Sequence, residues 1–285
     1  MVVNKITESP SPFEDEKINE TMKNIHHKIL VMSGKGGVGK STVSVNIAIE
    51  LLMRGKTVGI LDTDLHGPNV ARLLGIENVT IETRDNLLVP VEILPGLRIM
   101  SISFLLASDS TAVIWRGPKK TMMIKQFLSE VIWGELDYLI IDLPPGTGDE
   151  SISVIQFISD LDGAVIVTTS SEVSLLDCSK AIHMAKMMNV AILGIIENMS
   201  EVVCPKCGER SAIFGENGGN KIAELEHLSF LGKIPIIPKL NEKGSHTNES
   251  VSMECIKYFS PIVDNLINQI EIKTKEDICN VRDKI

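Results

Sequence analysis

Gly34-Lys35-Gly36-Gly37-Val38-Gly39-Lys40-Ser41 is the stretch whose reading decides the fold. It satisfies the pattern G-x-x-x-x-G-K-[ST], and its flanks separate it from a chance match: the apolar run Lys28–Ser33 precedes it and the helical pattern Lys40–Met53 follows. Glycines let the backbone curl so that successive N–H groups face phosphate oxygens. The helix that starts at Lys40 adds the partial positive charge of its N-terminus. In such a loop the lysine at position 40 contacts the β- and γ-phosphates, and the hydroxyl of Ser41 holds Mg²⁺. Gly34, Lys35, Gly36, Gly37, Val38, Gly39, Lys40, Ser41 and Thr42 are therefore the candidate residues for ATP, with Ser41 as the protein ligand to magnesium.

Outward from the loop, short apolar runs alternate with helical patterns from residue 28 to about 270. Strands are expected at Lys28–Ser33, Thr57–Asp62, Leu97–Ser103, Tyr138–Asp142, Gly163–Thr168, Ala191–Glu197 and Phe230–Ile234. Helices are expected at Lys40–Met53, Lys119–Ile132, Glu150–Ile158, Ser174–Met187, Gly219–Glu226 and Val251–Ile270. Brief runs rich in Val, Ile and Leu, separated by helices, predict an α/β fold: a doubly wound, mostly parallel sheet with helices on both faces, in a single domain. Alternation across Thr80–Ile93 around Asp85-Asn86 predicts an inserted β-hairpin. Residues 1–27, rich in acids and prolines, read as a flexible N-terminal arm, and residues 271–285 as a charged C-terminal tail.

Open α/β sheets bind ligands at the carboxyl ends of their strands, and three aspartates fall there. Asp142 ends the run Tyr138–Ile141; Asp62 and Asp64 follow Val58–Leu61. One carboxylate can order metal-bound water while another orients the attacking water, although a lone aspartate is often only a cap or turn residue. The run Pro144-Pro145-Gly146-Thr147-Gly148-Asp149 has the makings of a rigid turn placed to report the γ-phosphate. Lys35 puts a second lysine inside the loop. It either stabilises charge at the γ-phosphate, its own or that of a partner subunit's nucleotide, or simply faces solvent.

A second chemical signal is Cys204-Pro205-Lys206-Cys207-Gly208. A C-x-x-C turn offers two thiolates to one metal or cluster. Tetrahedral S₄ zinc and a cubane both need four ligands, and Cys178, Cys255 and Cys279 are isolated in sequence. A C₂ dimer supplies the missing pair most simply, since residues near the axis meet their own copies. Spacing alone leaves zinc and an iron–sulfur cluster open. Five cysteines, an odd and uneven set, suit a reducing compartment. The first 27 residues lack the apolar core of a secretory signal, and no stretch approaches the ~18–20 apolar residues of a membrane span. A cytoplasmic protein without membrane contact is expected. The net charge of −9 argues against general nucleic-acid binding.

Together these segments closely resemble the Mrp/ApbC-type iron–sulfur cluster carriers, within the deviant P-loop ATPases that include MinD, ParA and the nitrogenase iron protein. The resemblance spans residues 28 to about 240. It rests on Gly34–Thr42, Asp62-Thr63-Asp64-Leu65-His66-Gly67-Pro68, Trp133–Tyr138, Asp142–Asp149, Glu197-Asn198-Met199-Ser200, Cys204–Cys207, Phe214-Gly215, Gly218-Gly219 and Leu231–Pro235. It implies a slow ATPase in which Lys35 reaches across a nucleotide-sandwich homodimer. Asp62 and Asp64 would form the first switch, Asp142 the magnesium shell, and Asn198 would recognise the base. Cys204 and Cys207 would share a [4Fe–4S] cluster between two subunits, for transfer to apo iron–sulfur client proteins within the cluster assembly machinery. A MinD/ParA-like positioning ATPase with structural zinc at the cysteine pair is the alternative. No cysteine precedes residue 178, so the N-terminal cluster motif of some eukaryotic relatives is absent.

Overall fold

Strand β1, Ile25–Met32, is buried along its last five residues because it has a parallel neighbour on either side. The computed structural model describes residues 13–105, 117–204, 206–237, 240 and 249–282. In chain order the elements are α1 (Phe13–Met22), β1, α2 (Lys40–Met53), β2 (Val58–Asp62), α3 (Val70–Leu74), β3 (Thr83–Arg84), β4 (Leu87–Leu88), β5 (Val91–Leu94) and β6 (Leu97–Ser101). They continue with α4 (Gly117–Ser129), β7 (Leu136–Asp142), α5 (Asp149–Phe157), β8 (Gly163–Thr168), α6 (Glu172–Met187) and β9 (Ile192–Glu197). The last are β10 (Val202–Val203), β11 (Arg210–Ser211), α7 (Gly218–Glu226), β12 (Phe230–Lys233) and α8 (Glu249–Arg282).

Eight strands form one sheet in the order β12-β9-β8-β1-β7-β2-β6-β5, parallel throughout except for β5 at the edge. From β1 the chain steps to β2 on one side, and from β7 it crosses back over β1 to β8 on the other. Right-handed crossovers then send α2 to one face and α5 and α6 to the opposite one. In keeping with this, α2 packs on α8, while α4 packs on α5 and α6 on α7. The reversal of winding opens a crevice at the carboxyl end of β1, where the phosphate loop lies. In register, Val31 pairs with Asp142 and Asp142 with Asp62, so both aspartates reach that same edge.

The doubly wound single domain expected from the sequence is the one observed, but its limits are wider. Residues 13–22 are a helix, with Ile18 and Met22 buried at 0% and 2% exposure. These two residues, four apart, form an apolar stripe that rests on α4, and Thr21 Oγ1 donates to the Ser129 carbonyl at 3.2 Å. The arm expected over residues 1–27 is thus corrected: from Phe13 onward it belongs to the domain, and residues 1–12 lie outside the described residues. At the other end α8 continues through 271 to Arg282, and Lys273 Nζ donates to the Leu161 and Asp162 carbonyls at 2.9 and 2.6 Å. The stretch expected as a charged tail from residue 271 thus continues the helix to Arg282 and is anchored at Lys273. The hairpin around Asp85-Asn86 is present, both turn residues having positive φ. Past it, β5 joins the main sheet antiparallel to β6.

Candidate functional site

The phosphate loop is held from behind by two close approaches. A side chain at Gly34 would stand 2.0 Å from the Asp177 carbonyl oxygen of α6. Gly39 caps α2 at φ 81°, and a Cβ there would meet Asn198 Nδ2 at 2.2 Å. Asn198 itself donates through Nδ2 to the Val38 carbonyl at 2.9 Å and is buried. Loop, α6 and the end of β9 are therefore one packed unit.

At the start of α2, Lys40 Nζ lies 2.8 Å from Asp142 Oδ1. Ser41 Oγ donates to Asp142 Oδ2 and Ser44 Oγ to Asp142 Oδ1, both at 2.6 Å. Asp142 is fully buried, and these three groups compensate its charge. Lys40 is 6% exposed, and despite the ion pair its ammonium makes no directed hydrogen bond. A buried ammonium held by a single carboxylate oxygen keeps N–H donors to spare, and at the mouth of a curled glycine loop these suit phosphate oxygens. Ser44 was not singled out from the sequence; its place one turn beyond Lys40, on the face turned to β7, is the signal that could have found it.

Asp62 and Asp64 are brought to the same edge but do different jobs. Asp62 is fully buried and organises the backbone, accepting from the Asp64 and Val70 N–H groups at 3.1 and 3.3 Å and from Ser101 Oγ at 3.1 Å. Burial first, and then the neighbouring Asp142 charge, push its pKa up to about 8, with Lys40 pulling the other way. Asp64 accepts from the His66 and Gly67 N–H groups at 3.1 and 3.0 Å and lines the cleft. That cleft, about 400 Å³, has residues 35–42 on one wall and Asp64, Gly67, Asn69 and Arg72 on the other, with Pro145 and Met199 at its rim. The Gly146 N–H donates to the Ser33 carbonyl at 2.9 Å, so the loop after β7 leans on the root of the phosphate loop. Lys35 and Arg72 face the cleft and pair with no carboxylate among the described residues. Arg72 carries no motif and could not have been found by pattern.

The cysteine pair sits at the tip of a small hairpin that sequence reading missed. Strands β10 and β11 pair antiparallel, the Cys204 N–H donates to the Glu209 carbonyl at 2.8 Å, and the Gly208 N–H to the Cys204 carbonyl at 2.9 Å. The hairpin grows from the end of β9 and is tied down where the Ile236 N–H donates to the Glu201 carbonyl at 2.7 Å. Cys204 is half-buried and Cys207 exposed. The Cys207 N–H, then the Lys206 N–H and the Cys207 thiol, donate toward the Cys204 sulfur and lower its pKa. Among the described residues no three metal-ligating side chains cluster anywhere. Cys178 and Cys255 are buried away from the hairpin, and burial pushes the Cys178 thiol up to about 12. Cys279 has no described side chain. Among the described residues, one chain thus presents two accessible thiols.

No helix among the described residues is long and apolar enough to cross a membrane. Residues 24–271 match the family model of the ParA type described as NUBPL iron-transfer P-loop NTPase. An iron-sulfur cluster carrier protein of Methanocaldococcus jannaschii is 50% identical over 262 residues, covering 91% of this chain and 90% of the relative. The cytosolic Fe-S cluster assembly factor CFD1 of Kluyveromyces lactis is 45% identical over 273 residues, covering 90% and 96%. Among solved structures, a nucleotide-binding protein of Archaeoglobus fulgidus in complex with ADP superposes with a TM-score of 0.71 at 44% identity, over 81% of this chain and 92% of that one. The septum site-determining protein MinD of Pyrococcus horikoshii, complexed with Mg-ADP, shares the fold at a TM-score of 0.60 and 22% identity, over 87% and 98%.

Proposed function

This chain belongs to the NUBPL-type iron-transfer P-loop NTPase family, and from that premise we propose that it is an ATP-hydrolysing carrier of a [4Fe–4S] cluster. The cluster is its cargo, held between two copies and passed to apo-proteins. One observation carries the reading: a phosphate cradle and a two-thiol hairpin lie on the same edge of one sheet, joined through Asn198.

In this reading Lys40 and the loop N–H groups bind the β- and γ-phosphates, and Asn198 holds the loop in shape beside the base. Ser41 and Asp142 are the groups that would hold Mg²⁺, which would supply positive charge to offset that developing on the phosphate. Asp64, facing the cleft, orients the attacking water. Lys35, with no carboxylate partner among the described residues, reaches the nucleotide of the second copy. Cys204 and Cys207 supply half of the cluster's four thiolates, and their twins supply the rest. Exposed Val173 and Leu176 on α6, with Ile213 and Phe214 beyond β11, give the second copy apolar surface beside the hairpin.

Anaerobic reconstitution with iron and sulfide, followed by elemental analysis and absorption spectroscopy, tests the cargo. Four irons and four sulfides per two chains are expected, lost in Cys204→Ala and in Cys207→Ala. Zinc at half an ion per chain in place of iron, unaffected by reconstitution, would sink the carrier reading.

A further inference from the structure

Two loops close the phosphate end of the cleft, residues 63–69 after β2 and residues 143–149 after β7, and three side chains outside the cleft tie them together. Lys120 of α4 donates to Glu150 Oε1 at 2.6 Å, and its Nζ lies 2.8 Å from His66 Nε2. An ammonium has only donors, so Nε2 accepts. The same His66 nitrogen is 3.4 Å from Glu150 Oε1. The Glu150 and Lys120 side chains are 12% and 20% exposed, whereas His66 is 61% exposed, so the pair on α4 and α5 is the fixed part and the imidazole is what it grips.

Each end of this cluster runs back to the cleft. On the His66 side, the residue's own N–H and that of Gly67 donate to Asp64 Oδ1, so the backbone that carries the gripped ring is tied directly to the Asp64 carboxylate. On the Glu150 side, α5 begins at Asp149, three residues after Gly146, whose N–H is bonded to Ser33 at the root of the phosphate loop. The result is a chain of contacts that runs from Ser33 through Gly146, Glu150, Lys120 and His66 to Asp64. What such a chain sets is position, and a displacement of about 1 Å at a reacting group can cost about 100-fold in rate.

We propose that Lys120 and Glu150 are positioning residues that, through His66, hold the Asp64 carboxylate at the phosphate end of the cleft. The proposal rests on reading the cleft as an ATPase site, and two measurements on the full-length protein separate the two ideas. By hydrogen–deuterium exchange without nucleotide, Lys120→Met and Glu150→Gln should each speed exchange of the His66 and Gly67 amides about tenfold, leaving α2 and α5 at wild-type rates. In steady-state turnover the same variants should lower kcat about 10- to 100-fold with little change in KM for ATP. Lys120→Arg, which keeps a donor to both partners, should recover most of the rate. Wild-type exchange at His66 and Gly67 in both variants overturns the proposal, as does a Lys120→Arg rate no better than Lys120→Met. If the wild type hydrolyses no ATP while the variants still exchange faster, the ATPase reading fails and the latch stands.

Discussion

Lys40 and Asp142 form a buried pair whose attraction is offset by the cost of taking both charges out of water. Asp142 has no exposure and keeps the Ser41 and Ser44 hydroxyls as further donors. Lys40→Ala therefore leaves a buried carboxylate with hydroxyl partners alone, a change expected to cost about 3–5 kcal/mol. Adding Asp142→Asn removes the stranded charge, so the double variant should recover much of that loss in urea unfolding without nucleotide. Neither variant should recover nucleotide binding, which isothermal titration would show. A double variant no more stable than Lys40→Ala would mean the pair is not coupled as drawn. Asp162 presents a contrasting case at the opposite end of β1. Its carboxylate accepts from the Lys28 N–H at 2.7 Å and pairs with His27 Nδ1 at 3.0 Å. Burial opposes its charge, but His27, the Lys28 N–H and Lys273 outweigh burial and lower its pKa below the ordinary 3.8. A carboxylate with a lowered folded pKa stabilises the protein above the unfolded value, and that stability is lost as pH falls through the folded one. Asp162→Asn should thus cost about 1.5–3 kcal/mol at pH 7, where charged hydrogen bonds are present. The difference from wild type should shrink as pH drops below 3.8. Urea midpoints at pH 7 and pH 3 that differ by the same amount in both proteins would contradict this.

Elements differ in how plainly the sequence announces them. The strands beneath the site share one feature, an apolar run ending in a polar residue at the ligand edge, as in Tyr138–Asp142, whereas Leu97–Ser103 and Phe230–Ile234 are broken by Arg98 and by Gly232-Lys233. Helix α1 escaped because FEDEKINETM offers only Phe13, Ile18 and Met22 as apolar residues among acidic and polar ones, and among its described side chains Ile18 and Met22 alone are buried. Only the tertiary contact with α4 shows that these two are enough. Strands β10 and β11 have two residues each, too short for any period to register. The latch of His66, Lys120 and Glu150 is drawn from three segments and leaves no local pattern, whereas the phosphate loop is contiguous and its chemistry is legible at once. The α1 contact is testable. Fully buried Ile18→Ala should destabilise by about 2–5 kcal/mol, measured by urea unfolding, with nucleotide affinity unchanged because α1 touches α4 and not the cleft. A loss under about 0.5 kcal/mol, the range of surface substitutions, would return this helix to the status of a solvated arm.

At the scale of the whole molecule, the two accessible thiols among the described residues are half of what a four-thiolate cargo needs, and the edge that carries them also carries exposed apolar side chains. Val173 and Leu176 are 65% and 64% exposed, one turn apart on the helix whose Asp177 backs the phosphate loop. A docked copy would cover this surface while bringing its own hairpin to Cys204 and Cys207, so nucleotide and cargo would share one interface. Random pairing makes the consequence quantitative. If wild-type chains are mixed equally with chains carrying both Cys204→Ala and Cys207→Ala before reconstitution, only about a quarter of the C₂ pairs contain four thiolates. Cluster absorption should then fall to about a quarter of the all-wild-type value, whereas a cluster bound by each chain separately would leave about half. Val173→Asp with Leu176→Asp should lower cluster content further and shift the protein to monomers in sedimentation, because charge on a desolvated apolar face opposes association. Absorption that tracks the fraction of wild-type chains linearly would place the whole ligand set within one chain, against the two thiols that the fold presents.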